Sequence, residues 1–286
     1  MEFPIHEIRT NKAGFNQLAQ LYAATADLCF GEVALDFSGC TWFDANMSAP
    51  LGAVLARITD ELNDVNVKNL PVAVQDILSK NEFLHPFKID PVPDAHGTVV
   101  PYRRFRLDDG RYFAAYVHKY TNGKGIPNMT TMLRRKFNEG IGELFSNAVI
   151  HSESRLGVFS CGQFYPKKKC FDFCLADSGS GFQGAIKKAF DLNVDSVRAM
   201  QHCLREGFTT KKTEPGGLGL KLLKKFIELN QGRIVIVSNQ AYYEFSKGSE
   251  VFQALDQPFP GTCINIEIDT ADTKNYRLSS EPPNQP

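Results

Sequence analysis

The chain reads as an α/β (α+β) protein built from two units and a short tail. Three observations predict this. Strand-like alternation and helix-like three- and four-residue steps follow one another along the chain. A stretch over residues 86–101 carries Pro86, Pro91, Pro93 and Pro101 and reads as a linker. Glycine clusters in the second half fall where a strand pattern gives way to a helix pattern. The boundaries that follow are 1–88, 89–270 and 271–286, the last a polar segment expected to be disordered. A length of 286 residues suffices for two cores of ~100–200 residues each. The formal net charge is zero, which argues against a nucleic-acid partner. No run approaches ~18 apolar residues, so no membrane span is expected. The N-terminus lacks the charged and apolar regions of a signal peptide. Seven irregularly spaced cysteines fit reduced core thiols in a cytoplasmic protein. Cys170 and Cys174 would share one strand face, read as buried thiols rather than a metal pair.

Taken in order, residues 31–62 read as a buried strand, a turn and then an apolar helix through Leu51, Val54, Leu55 and Ile58. Residues 65–82 supply a short strand and another helix. Residues 99–106 and 111–120 are β-like and flank Asp108-Asp109-Gly110, a hairpin signal. Residues 128–152 read as one amphipathic helix, with Met129, Met132, Leu133, Phe137, Ile141, Leu144, Phe145, Ala148 and Val149 on its apolar stripe. Residues 170–176 alternate as a strand that runs into Asp177-Ser-Gly179-Ser-Gly181. Residues 205–216 show no apolar periodicity and read as a mobile loop. Gly217-Leu218-Gly219 then opens a helix through about Leu229. Gly261-Thr262 precedes a final alternating strand.

Several of these residues can carry chemistry. Glu143 and Asn147 are four apart and stack on one helix face, at the border of the apolar stripe. Ionised Asp177 is acceptor-only and suits an amine donor. Gly179 and Gly181 let the backbone turn tightly. A glycine-rich turn that feeds a helix N-terminus favours anions through its unpaired N–H groups and the helix dipole. Lys211 and Lys212 precede that turn and could reach a bound phosphate. Lys221 is in no Walker frame.

The order Glu143…Asn147, Asp177-x-Gly179-x-Gly181, Gly217-Leu218-Gly219, Gly261-Thr262 resembles the GHKL (Bergerat-fold) ATPases. The resemblance covers roughly residues 100–270. It implies an α/β sandwich with a mixed sheet backed by helices, and ATP with Mg²⁺ as cofactors. It implies Asn147 as the protein's Mg²⁺ ligand and Glu143 as general base in members that hydrolyse ATP. Asp177 would accept from the adenine amino group, with Thr262 beneath the base. Gly179, Gly181, Gly217, Leu218, Gly219, Lys211 and Lys212 would complete the nucleotide site. Pro215 stands where many histidine kinases have a further glycine. The Glu-x-x-x-Asn-Ala-x-x-His pattern is most similar to the anti-sigma-factor serine kinases. His151 would be either an orienting group or a satisfied polar one.

Residues 10–85 resemble STAS domains, but Ala45 follows Asp44 where phosphorylatable members have a serine. Ser38 and Ser48 are nearby and displaced from that position. Trp42 and Met47 are expected to be exposed contact residues. His6-Glu-Ile-Arg-Thr10 lacks the helical hairpin of a histidine-kinase acceptor. The resemblance implies a switch acting on a regulatory protein partner, with slow hydrolysis, phosphoryl transfer to a protein Ser/Thr, or nucleotide-gated binding without turnover as alternatives. It gives no nucleic-acid or membrane partner and leaves a homodimer open.

Overall fold

The computed structural model describes residues 1–151, 155–205 and 218–282. The N-terminal unit is a pair of β-α-β crossovers. Strands β1 (Glu2–Pro4), β2 (Glu32–Asp36) and β3 (Asp64–Lys68) form a parallel sheet in the order β1-β2-β3. Helices α1 (Lys12–Ala24) and α2 (Ser48–Asp60) make the crossovers, as parallel neighbours require. Asn11 caps α1 by accepting from the Gly14 N–H at 3.0 Å. Helix α3 (Val72–Lys80) closes the unit. Helix α2 is apolar all round, and its residues Ser48–Ala56 and Ile58 are all buried. That pattern fits a helix covered on both sides.

The second unit holds five strands in the order β4-β6-β7-β9-β8: β4 (Val99–Phe105), β6 (Val158–Tyr165), β7 (Cys170–Asp177), β9 (Ser249–Asp269) and β8 (Arg233–Ser246). Every pairing in this sheet is antiparallel. The expected mixed sheet is therefore corrected. Short hairpin connections between β6 and β7, and between β8 and β9, force antiparallel neighbours. Parallel pairing is confined to β1-β2-β3 and to a two-residue pairing of β5 (Asn128–Met129) with β10 (Asn275–Tyr276).

Both faces of the five-stranded sheet are covered. On one face, Phe171, Phe173, Leu175, Ile234 and Ile236 pack against α4 (Gly110–Thr121), α5 (Thr131–His151) and α8 (Leu218–Asn230). On the other, Cys174, Ala176, Val235 and Val237 share one core with Phe15, Leu18, Leu51 and Val54 of α1 and α2. The unbroken run Ile234–Val237 is the local sign of a strand buried on both sides. The layers are thus parallel sheet, helices α1 and α2, antiparallel sheet, helices. Gly52 makes the close approach in α2: a Cβ there would lie 2.3 Å from the Tyr102 hydroxyl of β4. Two further helices, α6 (Gly181–Phe190) and α7 (Ser196–Leu204), follow β7.

Three other expectations are corrected. Residues 111–120 are helix α4, not a strand, because Phe113, Tyr116 and Val117 fall on one helical face and are buried together. The segment after residue 270 is ordered as far as it is described: Tyr276 pairs with Met129 and is buried against Phe226. Met47 is fully buried, and Trp42 is half-buried, its ring covered by Lys168 at 4.3 Å and Arg9 at 5.0 Å. Met47 lies in a 3-10 turn whose neighbours face the five-stranded sheet, so no surface remains for it.

A polar chain crosses the shared core. Asn46 donates to Thr10 Oγ1 and to Asn265 Oδ1, each at 2.8 Å, and Asn265 donates to Asp172 Oδ1 at 3.1 Å. Burial, then the charge of Glu267, pushes the Asp172 carboxyl well above the usual carboxylate range. Arg233 joins the same seam, donating to the Thr10 carbonyl at 3.0 Å and to Glu267 at 3.1 Å.

Candidate functional site

The site is built on the helix-covered face of the antiparallel sheet, from α5, α8 and the ends of β7 and β9. Leu133, Phe137, Ile141 and Leu144 pin one face of α5 into the core. Glu143 lies beside that stripe, half-buried, and points to α8. Its Oε2 accepts from the Gly219 N–H at 2.7 Å, so the carboxylate satisfies one of the N–H groups that open α8. The two helices meet through glycines. A Cβ on Gly219 would lie 2.6 Å from Glu143 Oε2 and 2.9 Å from Gly140 Cα. Leu218 is the first residue of α8. Asn147 sits one turn beyond Glu143 and is half-buried. Beside Glu143 a cavity of about 500 Å³ opens between α4 and α5, lined by Phe113, Val117, Glu139, Gly142 and Ser146 among others.

The second group lies where β7 ends. Asp177 is in phase with Phe171, Phe173 and Leu175, which places it on the α5 side of the sheet. It is 4% exposed. Its Oδ1 accepts from the Gly179 N–H at 2.9 Å. Burial raises its pKa from 3.8 to about 7, opposed by the backbone N–H groups of Gly179 and Thr262. Gly261 has φ +85°, and a Cβ there would lie 2.3 Å from the Asp177 carbonyl, so only glycine lets β9 approach. Gly181 has φ +67° and would clash with Asn239 in the same way.

Thr262 is nearly buried, and its hydroxyl lies 2.9 Å from the Ser238 hydroxyl of β8. Ser238 also accepts from the Phe182 N–H at 2.8 Å, tying α6 to the strand ends. Ser238 and Asn239 are members of this cluster that sequence reasoning missed. Their one signal is the polar pair that interrupts the apolar run of β8.

The structure thus brings Glu143 together with Gly219, and Asp177 with Gly179, Gly261 and Thr262. Lys211, Lys212 and Gly217 lie outside the described residues, as does the side chain of His151. Among the described residues no group of three or more His, Cys, Asp or Glu could hold a metal ion. A Mg²⁺ ion held by one amide oxygen, waters and phosphates needs no such cluster.

Chemically, the residues offer a buried carboxyl acceptor at the end of β7 and, on α5, a carboxylate that caps the N-terminus of α8 with a carboxamide one helical turn beyond it in sequence. No protein-family model matches the chain, and no curated protein matches it either. No helix among the described residues is long and apolar enough to cross a membrane.

Proposed function

We propose that this chain is an ATP-binding regulatory protein of the GHKL type, with slow Mg²⁺-dependent ATP hydrolysis as a switch on a partner protein. The observation that carries the reading is Asp177. It is a buried carboxyl without a cationic partner among the described residues, held by backbone N–H groups beside Thr262. Such a group suits a neutral amine donor like that of adenine, because burial leaves it short of donors and an amine supplies one. The residues fit the cofactors the reading requires. Asn147 would supply an amide oxygen to Mg²⁺, and the N-terminus of α8 would receive phosphate. Mg²⁺ there would neutralise charge on the transferred phosphoryl group. Glu143 would orient and deprotonate the attacking water, having first been placed by its bond to Gly219.

In this reading the Bergerat-type unit is the antiparallel sheet with its helices, and the STAS-like unit docks on the other face as a fixed element. The N-terminal unit is not the phosphoryl acceptor. Ser48 is fully buried and accepts from Asn81, and the Ser38 hydroxyl donates to Asp36. Asp44 accepts from Thr10 and from the Trp42 indole.

Calorimetric titration with Mg-ATP and Mg-GTP, with phosphate release measured in parallel, tests the proposal. ATP should bind and GTP, which lacks the amine at that position, should bind far more weakly. Equal affinity for the two, or none for ATP, removes the reading.

A further inference from the structure

A second cavity of about 500 Å³ lies behind the glycine loop, on the side of the sheet that faces the N-terminal unit. Its lining is mixed, and the apolar part comes from Tyr22 of α1, Leu156 ahead of β6, and Pro258, Phe259 and Pro260 of β9. Ser178, Gly179, Ser180, Asn239 and Gly261 also line it. Two guanidiniums line it, Arg57 of α2 and Arg155, against one carboxylate, Asp60. Asp60 contacts Arg57 only at 3.8 Å, with both side chains partly exposed, so the pair is weak. A third guanidinium, Arg104, is held beside the cavity by donating to the Leu156 carbonyl at 2.6 Å. The local balance is positive although the chain as a whole is neutral.

We propose that this cavity is a binding site for a small organic anion: a carboxylate, phosphate or sulfonate carried on a flat apolar body. The argument is one of matched chemistry. A concave site of this volume that sets charged groups beside apolar surface can hold a small molecule and fix its orientation. Guanidinium forks pair with planar or tetrahedral oxyanions through two parallel hydrogen bonds, which a lysine cannot reproduce. Half-buried Tyr22 and exposed Pro258 supply apolar surface against which a ring would lie. Asp60 opposes the anion, so the ligand must place its charge toward Arg155 and the free side of Arg57. The inference does not depend on the nucleotide reading, because the guanidiniums it rests on belong to neither the Glu143 group nor the Asp177 cluster; Gly179, Asn239 and Gly261 are shared with that cluster.

The test uses the full chain and 8-anilinonaphthalene-1-sulfonate as fluorescent probe, followed by displacement with phenyl phosphate and with benzoate. The native protein should bind one equivalent of probe saturably, and either competitor should displace it. Arg57→Gln/Arg155→Gln should weaken binding about tenfold or more, as expected for loss of hydrogen bonds to a charged group. Arg155→Glu alters only an exposed side chain and should weaken it as well, so the proposal stays testable should the double variant fold poorly. Unchanged affinity in Arg155→Glu, or failure of both competitors to displace the probe, would overturn the proposal. Displacement by phenyl phosphate alone or benzoate alone supports it and identifies the preferred oxyanion.

Discussion

Asp177 shows how one side chain can couple recognition to pH. Its folded pKa of about 7 lies above the ordinary 3.8, so between these values the folded protein holds a proton that the unfolded chain has released. The contribution of Asp177 to stability should therefore fall as pH rises from about 4 to about 7 and then level off. Asp177→Asn should flatten that slope in a series of thermal melts. Asp172 is shifted in the same direction by the same cause, so Asp172→Asn should stabilise the protein at pH 8 relative to pH 5. Affinity should run the other way, because the ionised carboxylate is the stronger acceptor and carries no proton of its own to donate. Mg-ATP binding should strengthen from pH 6 to pH 8, and Asp177→Asn should weaken it by roughly 10- to 100-fold, the worth of a hydrogen bond to a charged group. Glu143 and Asn147 should separate cleanly in kinetics. Asn147→Ala should weaken Mg-ATP binding in calorimetry. Glu143→Ala should leave binding nearly intact and slow phosphate release by about 10²–10⁴-fold, the range for loss of a general base. Normal turnover in that variant would reduce Glu143 to the tie it makes with Gly219.

Among the elements, the contact of α5 with α8 is the most exacting. Gly140 and Gly219 bring the two backbones together, and a methyl group on Gly219 would meet backbone atoms at 2.9 and 3.0 Å that cannot swing aside. Gly219→Ala should cost about 1–3 kcal/mol, measured by denaturant unfolding, and should weaken nucleotide binding with it. Gly142 is the contrast, since a Cβ there meets nothing within 4 Å. Gly142→Ala should be neutral or slightly stabilising through helix propensity. Helix α5 was legible in the sequence from its three- and four-residue apolar steps, and α8 from the glycine turn that opens it. Helix α4 was misread because Tyr112, Phe113, Tyr116 and Tyr120 favour strands by type, and Asp108-Asp109-Gly110 imitates a hairpin turn. Their spacing was the better guide: the burial of Phe113 against Phe145, with ring centroids 4.5 Å apart, selects the helix. Ser238 was illegible because its role depends on β8 and β9 being neighbours, which no local pattern encodes.

On the scale of the whole molecule, the N-terminal unit and the antiparallel sheet bury a single core between them. The sequence announced two units but not their union, whose only local traces are the all-round apolar α2 and the run Ile234–Val237. One core of this kind should melt as one. Scanning calorimetry should give a single transition with calorimetric and van't Hoff enthalpies equal, and two separated transitions would contradict the shared core. The one tryptophan of the chain turns this seam into an optical instrument. The Trp42 indole donates to Asp44 within the N-terminal unit, while the ammonium of Lys168, from the turn joining β6 to β7, rests on its ring. Arg9 covers it as well. A cation over the ring perturbs the excited state of an indole. The protein's own ultraviolet emission, with no dye attached, would therefore follow any separation of the two layers in real time.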